Sequence, residues 1–191
     1  MPCLKYFAEY IYPWTKVGGG LNLHKLREQK KLVFIDVMST MLQDVLDDSP
    51  AKNPDKSLEG LCQQILDAAS EPCFLIVDHL SILSHLGYST RSQLVFTNKL
   101  LRHTRDKGGK LLVSYSLSTN HIDSLATYLQ RTADLSFLIE DLKTGRSKDV
   151  SGNLCIATRD ENGAFSRKDL QYRLEERTVK VFAPGTSGAV L

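Results

Sequence analysis

The run Cys73-Phe74-Leu75-Ile76-Val77 ends in a single carboxylate, Asp78. A carboxylate at the C-terminal end of a buried strand sits on the edge where open α/β sheets bind ligands. There it can hold the magnesium ion of a nucleotide, or it can merely cap the helix that follows. Nucleotide chemistry also needs a cradle for phosphates. Gly18-Gly19-Gly20 lies upstream, yet no lysine follows a closing glycine and no hydroxyl residue follows Lys25, so the G-x-x-x-x-G-K-[ST] spacing is absent. The triple glycine reads as a turn. Hydroxyls gather at Ser114, Ser116 and Ser118. Cations gather at two places, Arg102-His103-Arg105-Lys107 and the turn holding Lys143, Arg146 and Lys148. Either cation cluster can meet an RNA backbone, and either can be a solvated face. At a helix end such cations also complement the dipole. The five histidines, His24, His79, His85, His103 and His121, lack ligand spacing, so no metal site is expected. No G-x-S-x-G elbow occurs.

The elements that position these groups follow from the apolar periods. Cys73 to Val77 is an unbroken apolar run, which reads as a strand buried on both faces of a parallel sheet. Leu80 to Leu86 begins a new helical pattern, stopped at Gly87. Lys31 to Val37 is a second buried-strand candidate, and Lys110 to Ser116 a third. Met38, Met41, Leu42, Val45 and Leu46 suggest a short amphipathic segment. Ser57 reads as an N-cap for a helix whose apolar positions are Leu58, Leu61, Cys62, Ile65, Leu66 and Ala69. Thr90 to Lys107 predicts a longer helix with Leu94, Val95, Leu100 and Leu101 inward, and Ile122 to Gln130 another. The pattern then changes to alternation. Ala133–Glu140, Gly152–Thr158, Leu170–Leu174 and Thr178–Ala183 read as sequential antiparallel strands. Cys3 to Trp14 is dense in aromatics and fits a strand or a short helix equally.

The chain has 191 residues, enough for one domain with a sizeable core, and its apolar share of 42% and charged share of 24% are ordinary for a globular protein. A net charge of +2 gives no global attraction for nucleic acid, so any such binding must be local. The four cysteines are scattered, and Cys62 and Cys73 fall within apolar patterns. They read as reduced core residues of a cytosolic or nuclear protein, not as a disulfide framework. No apolar run approaches a membrane span, and Met1 to Trp14 lacks a signal-peptide layout.

A strand ending in Asp78, a strand ending in hydroxyls and a closing β-meander together resemble the core of a RecA-like ATPase. Three phrases narrow the likeness. Leu75-Ile76-Val77-Asp78-His79-Leu80-Ser81-Ile82-Leu83 resembles the central phrase of the subunit-six family of the eukaryotic Elongator complex. Leu142-Lys143-Thr144-Gly145, then Lys148-Asp149-Val150-Ser151-Gly152-Asn153-Leu154, resembles that family's hairpin. Val181 to Leu191 resembles its characteristic ending, and Gln29 to Asp36 also fits. The likeness runs from about Val17 to Leu191.

The resemblance implies a single RecA-like domain over 1–191, with a mostly parallel sheet, a C-terminal antiparallel meander and no Walker A loop. The family's first strand and the helix after it would be missing, and residues 1–16 would be an atypical or remnant segment. It implies a non-catalytic subunit that joins subunits four and five in a hetero-hexameric ring. That ring binds tRNA and serves wobble-uridine modification in the cytoplasm, with the nucleus a second location. No cofactor is implied. Asp78 would be a remnant of a magnesium-holding residue, and Lys143, Arg146 and Lys148 would meet tRNA. The competing expectation is a divergent NTPase that uses Asp78 beside Ser114, Ser116 and Ser118.

Overall fold

A computed structural model describes residues 22–37, 54–69, 72–117, 123–142, 145, 147–176 and 178–186. The segments expected at Cys3–Trp14 and Met38–Leu46, and the glycine turn, lie outside the described residues. The chain divides into two compact units, residues 30–131 and residues 1–29 with 132–191.

The first unit is built on a helix with one apolar stripe. Helix α2 (Pro54–Ala68) starts with proline, whose fixed φ and missing N–H suit the first helical position. The start therefore falls three residues before the expected cap at Ser57. Leu58, Leu61, Cys62 and Ile65 recur every three or four residues and are all buried, and Ala69 beyond the helix end joins them.

Strand β1 (Phe74–Val77) and strand β2 (Lys110–Val113) pair in parallel, with Phe74 opposite Lys110 and Val77 opposite Val113. Alternation sends Leu75, Val77, Leu111 and Val113 into the core. It turns Phe74, Ile76 and Leu112 outward, where they are 63%, 50% and 41% exposed. Among the described residues the strand expected to be buried on both faces is thus buried on one. Lys31 to Val37 runs without strand pairing. Its apolar residues do contribute, since Ile35 and Val37 pack against the core, but a buried run becomes a strand only where a ladder partner exists.

Between the strands lie α3 (Ile82–His85) and α4 (Thr90–Asp106). Ser89 caps α4, its hydroxyl accepting the Ser92 N–H at 3.1 Å. The buried stripe of α4 is Gln93, Phe96, Thr97, Leu100 and Thr104, not the purely apolar set expected. Val95 faces solvent, while Leu94 and Leu101 are half-buried. Three polar residues can face inward because each is satisfied locally. Gln93 Nε2 donates to the Tyr88 carbonyl at 2.8 Å, and Thr97 and Thr104 donate to the carbonyls of Gln93 and Leu100, each at 2.8 Å. After α4 the chain reverses at Gly108, whose φ of +69° suits glycine, and a Cβ on Gly109 would stand 2.5 Å from the Cys73 carbonyl oxygen. Helix α5 is Ser124–Thr132, with Leu125 and Ala126 buried. Leu80, Leu100 and Leu125, each no more than 2% exposed, fill the centre of the unit.

In the second unit Asn22 caps α1 (Leu23–Glu28), its Oδ1 accepting the Lys25 N–H at 3.0 Å. The rest is an antiparallel meander of β3 (Leu135–Glu140), β4 (Gly152–Arg159), β5 (Phe165–Leu174) and β6 (Val179–Phe182), in sequence order. The register sets Ile139 beside Leu154 and Leu154 beside Leu170, and sets Tyr172 beside Val181. One face is accordingly apolar, while Arg167, Asp169, Arg173 and Lys180 stand on the other. The β4–β5 turn is set by Asp160, whose Oδ1 accepts the N–H groups of Asn162 and Ala164 at 2.9 and 2.7 Å.

The mixed α/β class is as expected, with a parallel sheet followed by a C-terminal antiparallel meander. Among the described residues the parallel sheet has two strands and the antiparallel one four. No described helix is long and apolar enough to cross a membrane.

Candidate functional site

The parallel pair brings together, at its C-terminal edge, groups that are 35 or more residues apart in sequence. The Ser114 amide donates to the Val77 carbonyl at 3.0 Å, and the Ser114 carbonyl accepts the Leu80 N–H at 2.9 Å. The two chain segments are therefore clamped just beyond their strands. Between these bonds the Ser114 hydroxyl donates to Asp78 Oδ1 at 2.5 Å and accepts the His79 N–H at 2.6 Å. A hydroxyl is both donor and acceptor, so a single serine satisfies a carboxylate and an amide at once. Asp78 does not cap a helix. The residue before α3 is Ser81, and its hydroxyl makes no capping bond.

His79 adopts a φ of +62°, a left-handed conformation that costs a residue with a Cβ about 1–2 kcal/mol. The conformation swings the imidazole into a second set of hydroxyls. Nδ1 lies 2.9 Å from Ser81 Oγ, and Nε2 lies 3.2 Å from Ser116 Oγ. Ser116 N–H reaches Ser81 Oγ at 3.4 Å, closing the ring of contacts. Ser81 is buried, while Asp78 and Ser114 are exposed. The cluster thus spends its polar groups on one another. One Asp78 oxygen is held by Ser114, and among the described residues no lysine bonds Asp78. Among the described residues no group of three or more histidine, cysteine, aspartate or glutamate side chains is arranged to hold a metal ion.

A second polar contact lies beside it. The Tyr115 hydroxyl donates to Asp123 Oδ2. Asp123 Oδ1 accepts the N–H groups of Leu125 and Ala126 at 2.9 and 3.2 Å, capping α5. Burial, and then the bond to Asp123, push the Tyr115 phenol up to about 12. Burial alone would raise the Asp123 carboxyl, but the bonds from Tyr115 and the two amides outweigh it and hold the group below its ordinary value. Sequence reading missed this pair. An aspartate just before an apolar-periodic run was the available signal for the cap, whereas nothing local marks Tyr115 as its partner.

The other candidate residues are dispersed. Lys143, Arg146 and Ser118 lie outside the described residues, and Lys148 is exposed. Beside Lys148, Ser147 Oγ accepts the Asp149 N–H at 3.2 Å. His103 Nε2 lies 2.8 Å from the Ala69 carbonyl, a packing contact between α4 and the end of α2. Arg102, Arg105 and Lys107 are exposed. Cys62 is a buried free thiol, its pKa raised by burial, while Cys73 is free and only half-buried.

Known relatives place this arrangement in context. The chain is 28% identical over 200 residues to Elongator complex protein 6 of Drosophila melanogaster, covering 97% of this chain and 78% of that one. It is 27% identical over 216 residues to the Danio rerio protein of the same name, covering 99% and 81%. It is 26% identical over 212 residues to the Homo sapiens protein of that name, covering 97% and 79%. The family model for Elongation complex protein 6 matches residues 7–176, which hold the Asp78 phrase, the hairpin phrase and most of the meander. By that match the chain belongs to the Elongation complex protein 6 family.

Proposed function

We propose that this chain is a non-catalytic subunit of the Elongator complex. It joins subunits four and five in a hetero-hexameric ring of RecA-like folds that binds tRNA and supports modification of the wobble uridine, U34. In this reading residues 1–191 form a single RecA-like domain lacking a Walker A loop. It works in the cytoplasm and the nucleus. The observation that carries the reading is the family match over residues 7–176. The hydroxyl-tied Asp78 supports the non-catalytic part, since its carboxylate is already engaged by Ser114. No cofactor is assigned. Within the ring, Lys143, Arg146 and Lys148 contribute cations to a shared tRNA surface.

Co-expression with subunits four and five tests the reading. The chain is expected to co-purify with both, and a chain that stays separate in their presence contradicts it. Reversing the charges of Lys143, Arg146 and Lys148 is expected to weaken tRNA binding by the ring and to flatten its dependence on salt.

The alternative is a divergent NTPase in which Asp78 holds the metal of a nucleotide, favoured by its place at the C-terminal edge of parallel strands. Hydrolysis by the isolated chain that disappears in Asp78→Ala would establish it.

A further inference from the structure

We infer that Arg173 is a phosphate contact of the RNA surface to which the hairpin cations belong. The inference rests on the reading above, which gives Lys143, Arg146 and Lys148 to tRNA, and adds to it a residue from a different strand. Sequence distance hides the link, since Arg173 stands on β5.

Three observations bring Arg173 to the hairpin. The Ser151 N–H donates to the Tyr172 carbonyl at 2.8 Å, and the Ser151 hydroxyl accepts the Leu174 N–H at 2.9 Å. The segment after Lys148 is thus bonded to the backbone on both sides of Arg173. Asp149 Oδ1, on the residue next to Lys148, lies 3.9 Å from the Arg173 guanidinium. Lys180 is the register partner of Arg173, so the two cations stand side by side on the charged face of the meander.

The carboxylates around Arg173 leave its donors unspent. Asp149 and Glu175 each approach it only to 3.9 Å, close enough to attract it but too far to accept a hydrogen bond. Glu175 is engaged elsewhere, its Oε1 meeting Lys180 Nζ at 2.7 Å and its Oε2 accepting from the Thr178 hydroxyl at 3.1 Å. The Arg173 side chain is 44% exposed. Ion pairs this exposed contribute little, so an incoming anion displaces them readily. A guanidinium fork meets two oxygens of one phosphate at once, which neither carboxylate offers it here. By sequence, residues 142–151 and 172–180 hold six cations and three carboxylates. That is a local excess for a polyanion to meet, although the whole chain carries only +2.

The test measures binding of an unmodified tRNA transcript by the chain assembled with subunits four and five, over a range of salt. Arg173→Gln is expected to weaken binding about 3- to 10-fold and to reduce the slope of log affinity against log salt by about 1. Arg173→Lys is expected to keep the slope and recover only part of the affinity, because the charge returns without the fork. Asp149→Asn is expected to tighten binding about 2- to 5-fold at low salt, with the gain fading as salt rises. All three variants should assemble as the unchanged chain does. Unaltered affinity and slope in Arg173→Gln, or weaker binding in Asp149→Asn, overturns the inference. So does loss of assembly in Arg173→Gln, which would make the partner of Arg173 an acidic protein surface. Failure of the unchanged chain to assemble counts against the proposed function alone. The inference is then decided on the free chain, where the Arg173 Nε–H resonance should shift as the transcript is added, and a resonance that stays in place overturns it.

Discussion

The helical unit and the meander hold themselves together by different means. Every buried apolar side chain among the described residues, from Leu58 to Ala126, belongs to the helical unit. The meander has a continuous hydrogen-bonded ladder and an apolar face, yet Leu135, Phe137 and Ile139 on that face are 49%, 53% and 66% exposed. One unit is stabilised by removing side chains from water, and the other by backbone pairing with its turns. The difference teaches that an apolar stripe in a sequence marks a surface wanting cover, not a surface already covered. Substitutions of one chemical type should therefore have unequal costs in the two units.

The largest contrast is between two truncations. Leu100→Ala, at a site 1% exposed, should destabilise the chain by about 2–5 kcal/mol in denaturant unfolding, through lost transfer energy and the cavity left behind. Ile139→Ala, at a site 66% exposed, should cost less than about 1 kcal/mol. Equal costs would show that the meander's apolar face is buried in solution.

The Tyr115–Asp123 contact gives the next effect. Asp123→Ala removes the cap of α5 and the partner of Tyr115, and should cost about 1–2 kcal/mol. The pH dependence follows in sign from the same pair. The Tyr115 phenol is raised to about 12 in the folded chain. Its contribution is therefore complete below the ordinary tyrosine value of about 10 and is lost as pH rises from there towards 12. Asp123 is depressed, so its contribution is present above the ordinary carboxylate range and is lost as pH falls through the lower folded value. Tyr115→Phe should flatten the alkaline arm of a plot of melting temperature against pH. An unaltered alkaline arm would remove Tyr115 as its source.

A smaller effect is expected at the C-terminal sheet edge. Ser114→Ala leaves Asp78 Oδ1 and the His79 N–H without their shared hydroxyl, and should cost about 1 kcal/mol because solvent reaches both. If Ser114→Ala instead created nucleotide hydrolysis, the tied carboxylate would be a suppressed catalytic group and not a structural one.

Much of the architecture was legible in the sequence where a local period decides the outcome. Leu58 to Ala69 has one helical stripe, and the four alternating segments after Ala133 each became a strand. The rest depended on partners that a local pattern cannot display. Lys31 to Val37 has a strand's composition but joins no ladder among the described residues. Helix α4 faces inward through Gln93, Thr97 and Thr104, polar residues whose burial is affordable only because carbonyls nearby accept their protons. At the site, Asp78 and the hydroxyl-rich end of β2 were visible as types. Their mutual bonding arises from a pairing across 36 residues, and so do the left-handed His79 and the outward Phe74. Family membership was legible from phrases more than from periods. The Asp78 and hairpin phrases lie within the matched residues 7–176, while the closing phrase, Val181 to Leu191, lies beyond them.

The most direct test of the account is the native mass of the species formed when this chain is produced together with Elongator subunits four and five. The account predicts a hetero-hexamer containing this chain in equal proportion to each partner. A hexamer of subunits four and five that excludes it, with this chain recovered as a monomer, would contradict the central claim.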